Sequence, residues 1–308
     1  MLFAAAPGRD FGVGGAPDAR ARRTRSRLFA AVSPILARVL ADPLNTAEIE
    51  QALAALTVFG ARAPAVRVVD DCPSTNALLL AESAAAGAAL LAAEVQTAGR
   101  GRRGRRWISP RGAGLTFSLR RVLDCAVRQT VGLPLVAGVA AARTLRDLGA
   151  EGITLKWPND LMAGGAKLGG VLIETRPAPR GTLVVIGIGI NCRAVPRTAA
   201  RFRRQVVALE QLMQSLPSRN LLVAQLAAAL LTDLERFERS GLEAVRADWE
   251  ALHADAGRRL RVRLRDGRHV RQVTGVAQGL APDGGLQLRT RSGLRNLDGA
   301  RVVSARAA

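Results

Sequence analysis

The residues best suited to chemistry in this 308-residue chain lie between Gln96 and Ser118, QTAGRGRRGRRWISPRGAGLTFS. Arg100, Arg102, Arg103, Arg105 and Arg106 are interleaved with Gly99, Gly101 and Gly104, and Trp107 follows at once. Glycine lets backbone amides come close to a ligand. Guanidiniums are planar, permanently charged donors for phosphate or carboxylate. Alternating the two makes a mobile basic flap, suited to close over an anion and to shield a reactive intermediate from water. Other readings compete. A solvated charged loop and a nucleic-acid contact have the same composition. The spacing Gly99-x-Gly101-x-x-Gly104 also matches the dinucleotide fingerprint. That motif must open a helix, and Pro110, Gly112 and Gly114 forbid one here.

Lysine is the second signal. Of 45 basic residues only Lys156 and Lys167 are lysines. Where arginine serves wherever charge alone matters, a retained ammonium marks a site that needs a compact point charge. Ser74-Thr75-Asn76 is the third. These small polar groups can cap a helix or hydrogen-bond a ligand at a strand-to-helix turn. Asn159 and Asp160 stand in the Pro-Asn-Asp turn after Trp157. Gly187 and Gly189 fall on one face of the strand that ends at Asn191. A strand face without side chains is either a ligand floor or a tight packing surface or dimer edge.

Composition sets outer bounds. With 48% hydrophobic residues the chain can bury two cores. Its net charge of +20 would ordinarily suggest nucleic acid, but the bias is global and forms no single patch. Cys72, Cys125 and Cys192 have neither metal nor disulfide spacing, so buried free thiols in a reducing compartment are expected. His253 and His269, the two histidines, leave little room for a histidine triad or metal cluster. No apolar run approaches a membrane span, and the apolar start is too short for a secretory signal. A cytoplasmic, soluble protein is expected.

The elements that must position these residues follow in order. Residues 1–27 read as a disordered tail, and 28–65 as N-terminal helices. One stretch of helical spacing covers Leu28 to Ala41, where Pro34 would start or kink the helix; another opens on Asn45 with Glu48 as a capping-box variant and closes at Gly60. Residues 66–256 read as one domain. A strand at Val66–Val69 leads through Ser74 into a helix ending at Gly87. A buried strand at 88–95 delivers Gln96 and the flap, and Gly114–Leu119 is the next strand. A helix runs from Leu133 to Leu148 and stops at Gly149. Strands at Ile153–Leu155, Lys167–Glu174 and Leu183–Asn191 follow, then helices at Leu221–Phe237 and Leu242–Leu252. In 257–308, Asp266-Gly267, Asp283-Gly284, Ser292-Gly293 and Asp298-Gly299 punctuate short β runs, which predicts a small β-barrel.

Four segments together resemble the biotin protein ligases, or biotin–[acetyl-CoA-carboxylase] ligases. They are Ser74-Thr75-Asn76, Gln96 with GRGRRGRRW, KWPND with KLGGVLIE, and GIGIN. The resemblance implies an α+β fold: a class II aminoacyl-tRNA synthetase-like catalytic domain with a mixed sheet, plus a C-terminal SH3-like β-barrel. It implies activation of biotin by ATP as biotinyl-5′-AMP, with Mg2+, and transfer to a lysine of the biotin carboxyl carrier protein. By that resemblance Ser74, Thr75, Asn76, Gln96, Arg100, Gly101, Arg102 and Lys167 would bind biotin. Gly99, Arg103, Arg105, Trp107, Lys156, Asn159, Asp160, Lys167 and Asn191 would bind ATP. Lys167, Arg102 and Arg100 would be catalytic. Residues 1–65 are too short and too rich in Gly, Ala and Arg for the winged helix-turn-helix of the repressor members, so no operator-specific DNA binding is expected. Monomer and homodimer are both compatible. A lipoate or octanoate ligase of the same fold is the alternative, and an arginine-rich nucleic-acid binder the next.

Overall fold

A computed structural model describes residues 42–56, 63–84, 87–195, 205–266 and 269–306. The tail expected at 1–27 and the helix expected at 28–41 lie outside them, as does Gly60.

The alternation of strand β7 (Thr182–Asn191) organises the molecule. Ile186, Ile188 and Ile190 enter the large core, while Val185, Gly187 and Gly189 point the other way. Its neighbour β3 (Gly114–Leu123) repeats the pattern: Leu115, Phe117 and Leu119 face the core, and Thr116, Ser118 and Arg120 the opposite side. These strands pair antiparallel, with Thr116 opposite Gly189 and Ser118 opposite Gly187. Around them stand β1 (Ala65–Cys72), β2 (Ala89–Gln96), β4 (Ile153–Lys156), β5 (Asp160–Ala163) and β6 (Ala166–Pro177). The seven-stranded order is β1-β2-β3-β7-β6-β5-β4. Only β1 and β2 run parallel, so the sheet is mixed.

Helices α1 (Thr46–Leu56), α3 (Leu133–Asp147) and α4 (Arg219–Ser240) bury their apolar stripes in the core on the isoleucine side. Helix α2 (Thr75–Ala81) lies on the glycine side with Leu79 against Leu91 and Val185. It stops well before Gly87, where the sequence pattern predicts its end. Glu82 is drawn out of the helix to pair with Arg120, which is 1% exposed, at 2.6 Å, and with Arg67. The Asn45 cap is present, with its Oδ1 accepting the Glu48 amide at 3.1 Å. The reciprocal half of the capping box is not: the Glu48 carboxylate takes Asn220 Nδ2 instead, at 2.7 Å. Helix α5 (Arg246–Ala251) is shorter than expected because the segment before it is a 3-10 turn.

The C-terminal strands β8 (Arg259–Asp266), β9 (His269–Leu280), β10 (Leu286–Thr290), β11 (Gly293–Leu297) and β12 (Arg301–Arg306) form a separate antiparallel sheet, ordered β11-β10-β9-β8-β12. Gly284 and Gly299 take positive φ in its turns, as the Asp-Gly pairs predict. Trp157 Nε1 donates to Gly284 O at 3.0 Å, a buried bond tying this sheet to the KWPND turn. Among the described residues no helix is long and apolar enough to cross a membrane.

Candidate active site

A cavity of about 470 Å³ opens on the glycine face of the large sheet, within the range of small-molecule sites. The glycines of β6 and β7 are not an empty floor; Gly170, Gly187 and Gly189 each make room for a site residue. A methyl at Gly187 would stand 2.3 Å from Asn76 Oδ1, and one at Gly189 2.4 Å from the Trp107 indole. At Gly170 it would meet Lys167 Nζ at 3.1 Å. Both alternatives open for this strand face are therefore realised: it packs tightly, and what packs there lines the cavity. Gly189→Ala is expected to push Trp107 off the sheet and lower stability by about 1–3 kcal/mol, measured by denaturant titration.

One end of the cavity is polar without formal charge. Ser74 caps α2 through Ala77 N at 3.4 Å and also lines the cavity. Gln96 Oε1 accepts from Thr75 N at 2.8 Å and Thr75 Oγ1 at 3.2 Å. That fixes the Gln96 amide and leaves its Nε2 donors without a partner among the described residues. Ser118, fully buried and absent from the sequence prediction, shares its hydroxyl between Thr75 Oγ1 at 2.7 Å and Asn76 Oδ1 at 2.6 Å.

The other part is cationic. The flap is a small hairpin: Arg100 pairs with Arg106, Gly101 N donates to Arg105 O at 2.7 Å, and Trp107 N to Gly99 O at 2.9 Å. Arg100, Gly101, Arg102, Arg105, Arg106 and Trp107 all line the cavity. The half-buried Arg102 guanidinium has no hydrogen-bond or ion-pair partner among the described residues. Desolvation, then Arg103, disfavours its charge, Asp160 supports it, and Arg105 disfavours it again, so its pKa lies below the usual guanidinium value. Lys167 Nζ stands 2.6 Å from Asp160 Oδ1 and 5.9 Å from the Trp107 ring centre. Arg102 and Lys167 thus share one cavity.

Asn159 and Asn191 also line it, with amide donors turned to backbone: Asn159 Nδ2 to Val171 O at 2.7 Å, Asn191 Nδ2 to Lys167 O at 3.3 Å and Val207 O at 3.2 Å. Arg193, Val206 and Gln211 extend the cavity past the strand end, beyond any sequence motif. Three predicted site residues are not at the wall. Lys156 turns to Asp255 at 3.9 Å, so only one of the two lysines is in the site. Arg103, at φ 61°, reaches the carbonyl of Gly299 in the C-terminal sheet. Gly99 is a close-approach position in the flap stem, where a methyl would lie 2.5 Å from Trp107 O.

No cysteine lines this cavity, and neither does His253. All three cysteines are free, and burial pushes the Cys192 thiol up to about 12. Burial, partly opposed by Asp255, pushes His253 down to about 4.

Residues 68–191, which hold most of this cavity, match the model of the biotin/lipoate A/B protein ligase family. The bifunctional ligase/repressor BirA of Escherichia coli is 34% identical over 252 residues, 81% of this chain and 75% of that protein. The chain belongs to the biotin protein ligase family. The biotin–[acetyl-CoA-carboxylase] ligase of Mycobacterium tuberculosis is 35% identical over 229 residues, 72% of this chain and 82% of that protein. Among solved structures, the biotin protein ligase from Aquifex aeolicus in complex with biotin and ATP superposes with a TM-score of 0.65 at 25% identity, covering 79% of this chain and 99% of that one.

Proposed function

We propose that this biotin protein ligase activates biotin with ATP and transfers it to a lysine of the biotin carboxyl carrier protein of acetyl-CoA carboxylase, in the cytoplasm. In the first step a biotin carboxylate oxygen attacks the α-phosphorus of ATP, the bond to the β-phosphate oxygen breaks, and pyrophosphate leaves. In the second, the carrier lysine's neutral amine attacks the acyl carbon; AMP departs and the amine loses a proton. The observation that carries this reading is the division of one cavity into an uncharged hydrogen-bonding end and a cationic end.

Ser74, Thr75 and the free donors of Gln96 suit an uncharged ureido ring. Arg102 and Lys167 are the charges that face the carboxylate and the α-phosphate. Biotin needs no base, since a carboxylate is ionised at neutral pH, and orientation with electrostatics carries the step. Trp107 offers an aromatic face for the base, and Asn159, Asp160 and Asn191 brace the nucleotide end. Among the described residues no cluster of three or more His, Cys, Asp or Glu could hold a metal ion. Mg2+ would be carried on the ATP phosphates, where it keeps most of its own waters and needs no cage of protein ligands.

The test is a streptavidin blot of purified protein with ATP, Mg2+, biotin and a carrier domain. Biotin-dependent labelling is expected; labelling by lipoate in its place would select the alternative ligase. Arg102→Gly removes a flap charge from the cavity wall and is expected to let biotinyl-AMP escape, read as adenylate in the filtrate of a reaction without carrier. Wild-type retention of adenylate would sink that account of the flap.

A further inference from the structure

Glu174 lies on the cavity side of β6, two residues beyond Leu172, and belongs to none of the roles above. A single carboxylate oxygen, Oε2, accepts from Arg100 at 2.9 Å and from Asn76 Nδ2 at 2.9 Å. The second Asn76 donor goes to Leu172 O at 3.2 Å, and Asn76 Oδ1 accepts from Ser118. Asn76 is therefore fully satisfied by the protein. Its amide orientation is set, because only Nδ2 can face two acceptors. From Glu174 the contacts continue through Asn76 Oδ1 to the Ser118 hydroxyl, from that hydroxyl to Thr75 Oγ1, and on through the Thr75 amide, which donates to Gln96 Oε1 at 2.8 Å. One chain of hydrogen bonds thus joins the flap guanidinium of Arg100 to the donors at the uncharged end of the cavity.

We propose that Glu174 is a positioning residue that couples the flap to the biotin end of the cavity, holding Arg100 as a strut and Asn76 as a bracket. The inference rests on the ligase reading and deepens it. It moves Arg100 from the anion-binding set to the supporting one, and leaves Arg102 and Lys167 facing the reacting atoms. Three observations carry it. Arg100 already has a carboxylate partner, whereas the Arg102 guanidinium has none among the described residues. Gly187 has no side chain, and a methyl there would strike Asn76 Oδ1 at 2.3 Å, so the bracket has a seat built for it. The Arg100–Glu174 pair is 44% and 24% exposed. A pair so exposed adds little to stability; what it fixes is direction.

The experiment compares wild type with Glu174→Gln, Arg100→Gln and the double variant. Glutamine at 174 keeps an acceptor for Asn76 but has no charge for Arg100. Loss of one charge-assisted hydrogen bond predicts a biotin KM raised by roughly tenfold, with a smaller change in ATP KM and an unchanged thermal midpoint. The two single changes should not add, because each breaks the same link, and Glu174→Asp should restore part of the affinity. Additive singles, or a Glu174→Gln enzyme with wild-type biotin KM, would overturn the coupling while leaving the ligase reading intact. A wild-type protein that forms no biotinyl-AMP would overturn both.

Discussion

Lys167→Ala is expected to lower biotin-dependent pyrophosphate–ATP exchange by about 10²–10³-fold while leaving the fold intact. Lys167 sits on the sheet where Gly170 has no side chain, beside the Trp107 ring and against Asp160. Negative charge on the α-phosphate grows as the carboxylate attacks, so a fixed ammonium there stabilises the transition state more than the ground state. Removing it also takes the ammonium from beside Asp160, 8% exposed, so the negative charge of that carboxylate is no longer offset by Lys167 next to the triphosphate. The two causes separate by experiment. If repulsion contributes, Lys167→Ala/Asp160→Asn will exchange faster than Lys167→Ala alone. If Lys167 acts only as a charge, Lys167→Arg will be close to wild type; the expectation is that it is not, since a planar fork cannot replace a point charge over Gly170. Exchange at the wild-type rate in Lys167→Ala would remove this residue from the mechanism.

What the sequence made legible here was what depends on local spacing. The Ile/Gly alternation of 186–190 yields a strand with one core face and one bare face. Ser74 read as a helix cap, and the Asp-Gly pairs as turns of the C-terminal sheet. The rarity of lysine pointed to both Lys167, which lines the cavity, and Lys156, which turns to Asp255 instead, because proximity in sequence does not say which side of a turn a side chain leaves. The flap arginines looked equivalent, yet the fold sends them to different places: Arg100 to Glu174, Arg103 to Gly299, Arg102 into the cavity. Their partners lie 74 and 196 residues away, beyond any local pattern. Ser118 and Glu174 end two of the stretches singled out, QTAGRGRRGRRWISPRGAGLTFS and KLGGVLIE, but nothing marked either residue within them, since a serine in a strand and a glutamate after an apolar run are ordinary by themselves.

The same limit hid the residue expected to matter most for stability. In a chain this rich in arginine nothing distinguishes Arg219, yet it is fully buried. Its guanidinium meets Glu94 at 2.8 and 2.9 Å and the Gly114 carbonyl at 3.2 Å, and its amide meets Asp42 at 3.0 Å. Glu94 lies two residues before Gln96 and also accepts from Leu44 N at 2.8 Å and Gly112 N at 3.4 Å. Arg219→Met keeps the stem and removes the charge, leaving Glu94 buried without its cation; the expected loss is about 3–5 kcal/mol, read by denaturant titration. The pH dependence gives a second check. Burial alone would raise the Glu94 pKa, but the Arg219 hydrogen bonds, the Leu44 and Gly112 amides and the Arg219 charge outweigh it and hold it below the usual carboxylate value. In wild type this contribution is present above the unfolded-state pKa and fades as pH falls through the lower folded one. In Arg219→Met the uncompensated burial raises the Glu94 pKa, so its contribution must weaken as pH rises through the carboxylate range. Relative to wild type, the variant should therefore lose most stability at neutral pH and least in acid, below the lowered folded-state pKa of Glu94. A pH-independent difference would show that Glu94 is solvated once Arg219 is gone, and that the pair is a surface feature in solution. Arg219→Met/Glu94→Leu should recover part of the loss, since an apolar pair can replace a buried ion pair. The recovery stays incomplete because Leu44 N and Gly112 N lose their acceptor. Asp42 also contacts Arg193, a cavity residue, at 3.9 Å, so the single change should raise ATP KM even where the protein remains folded.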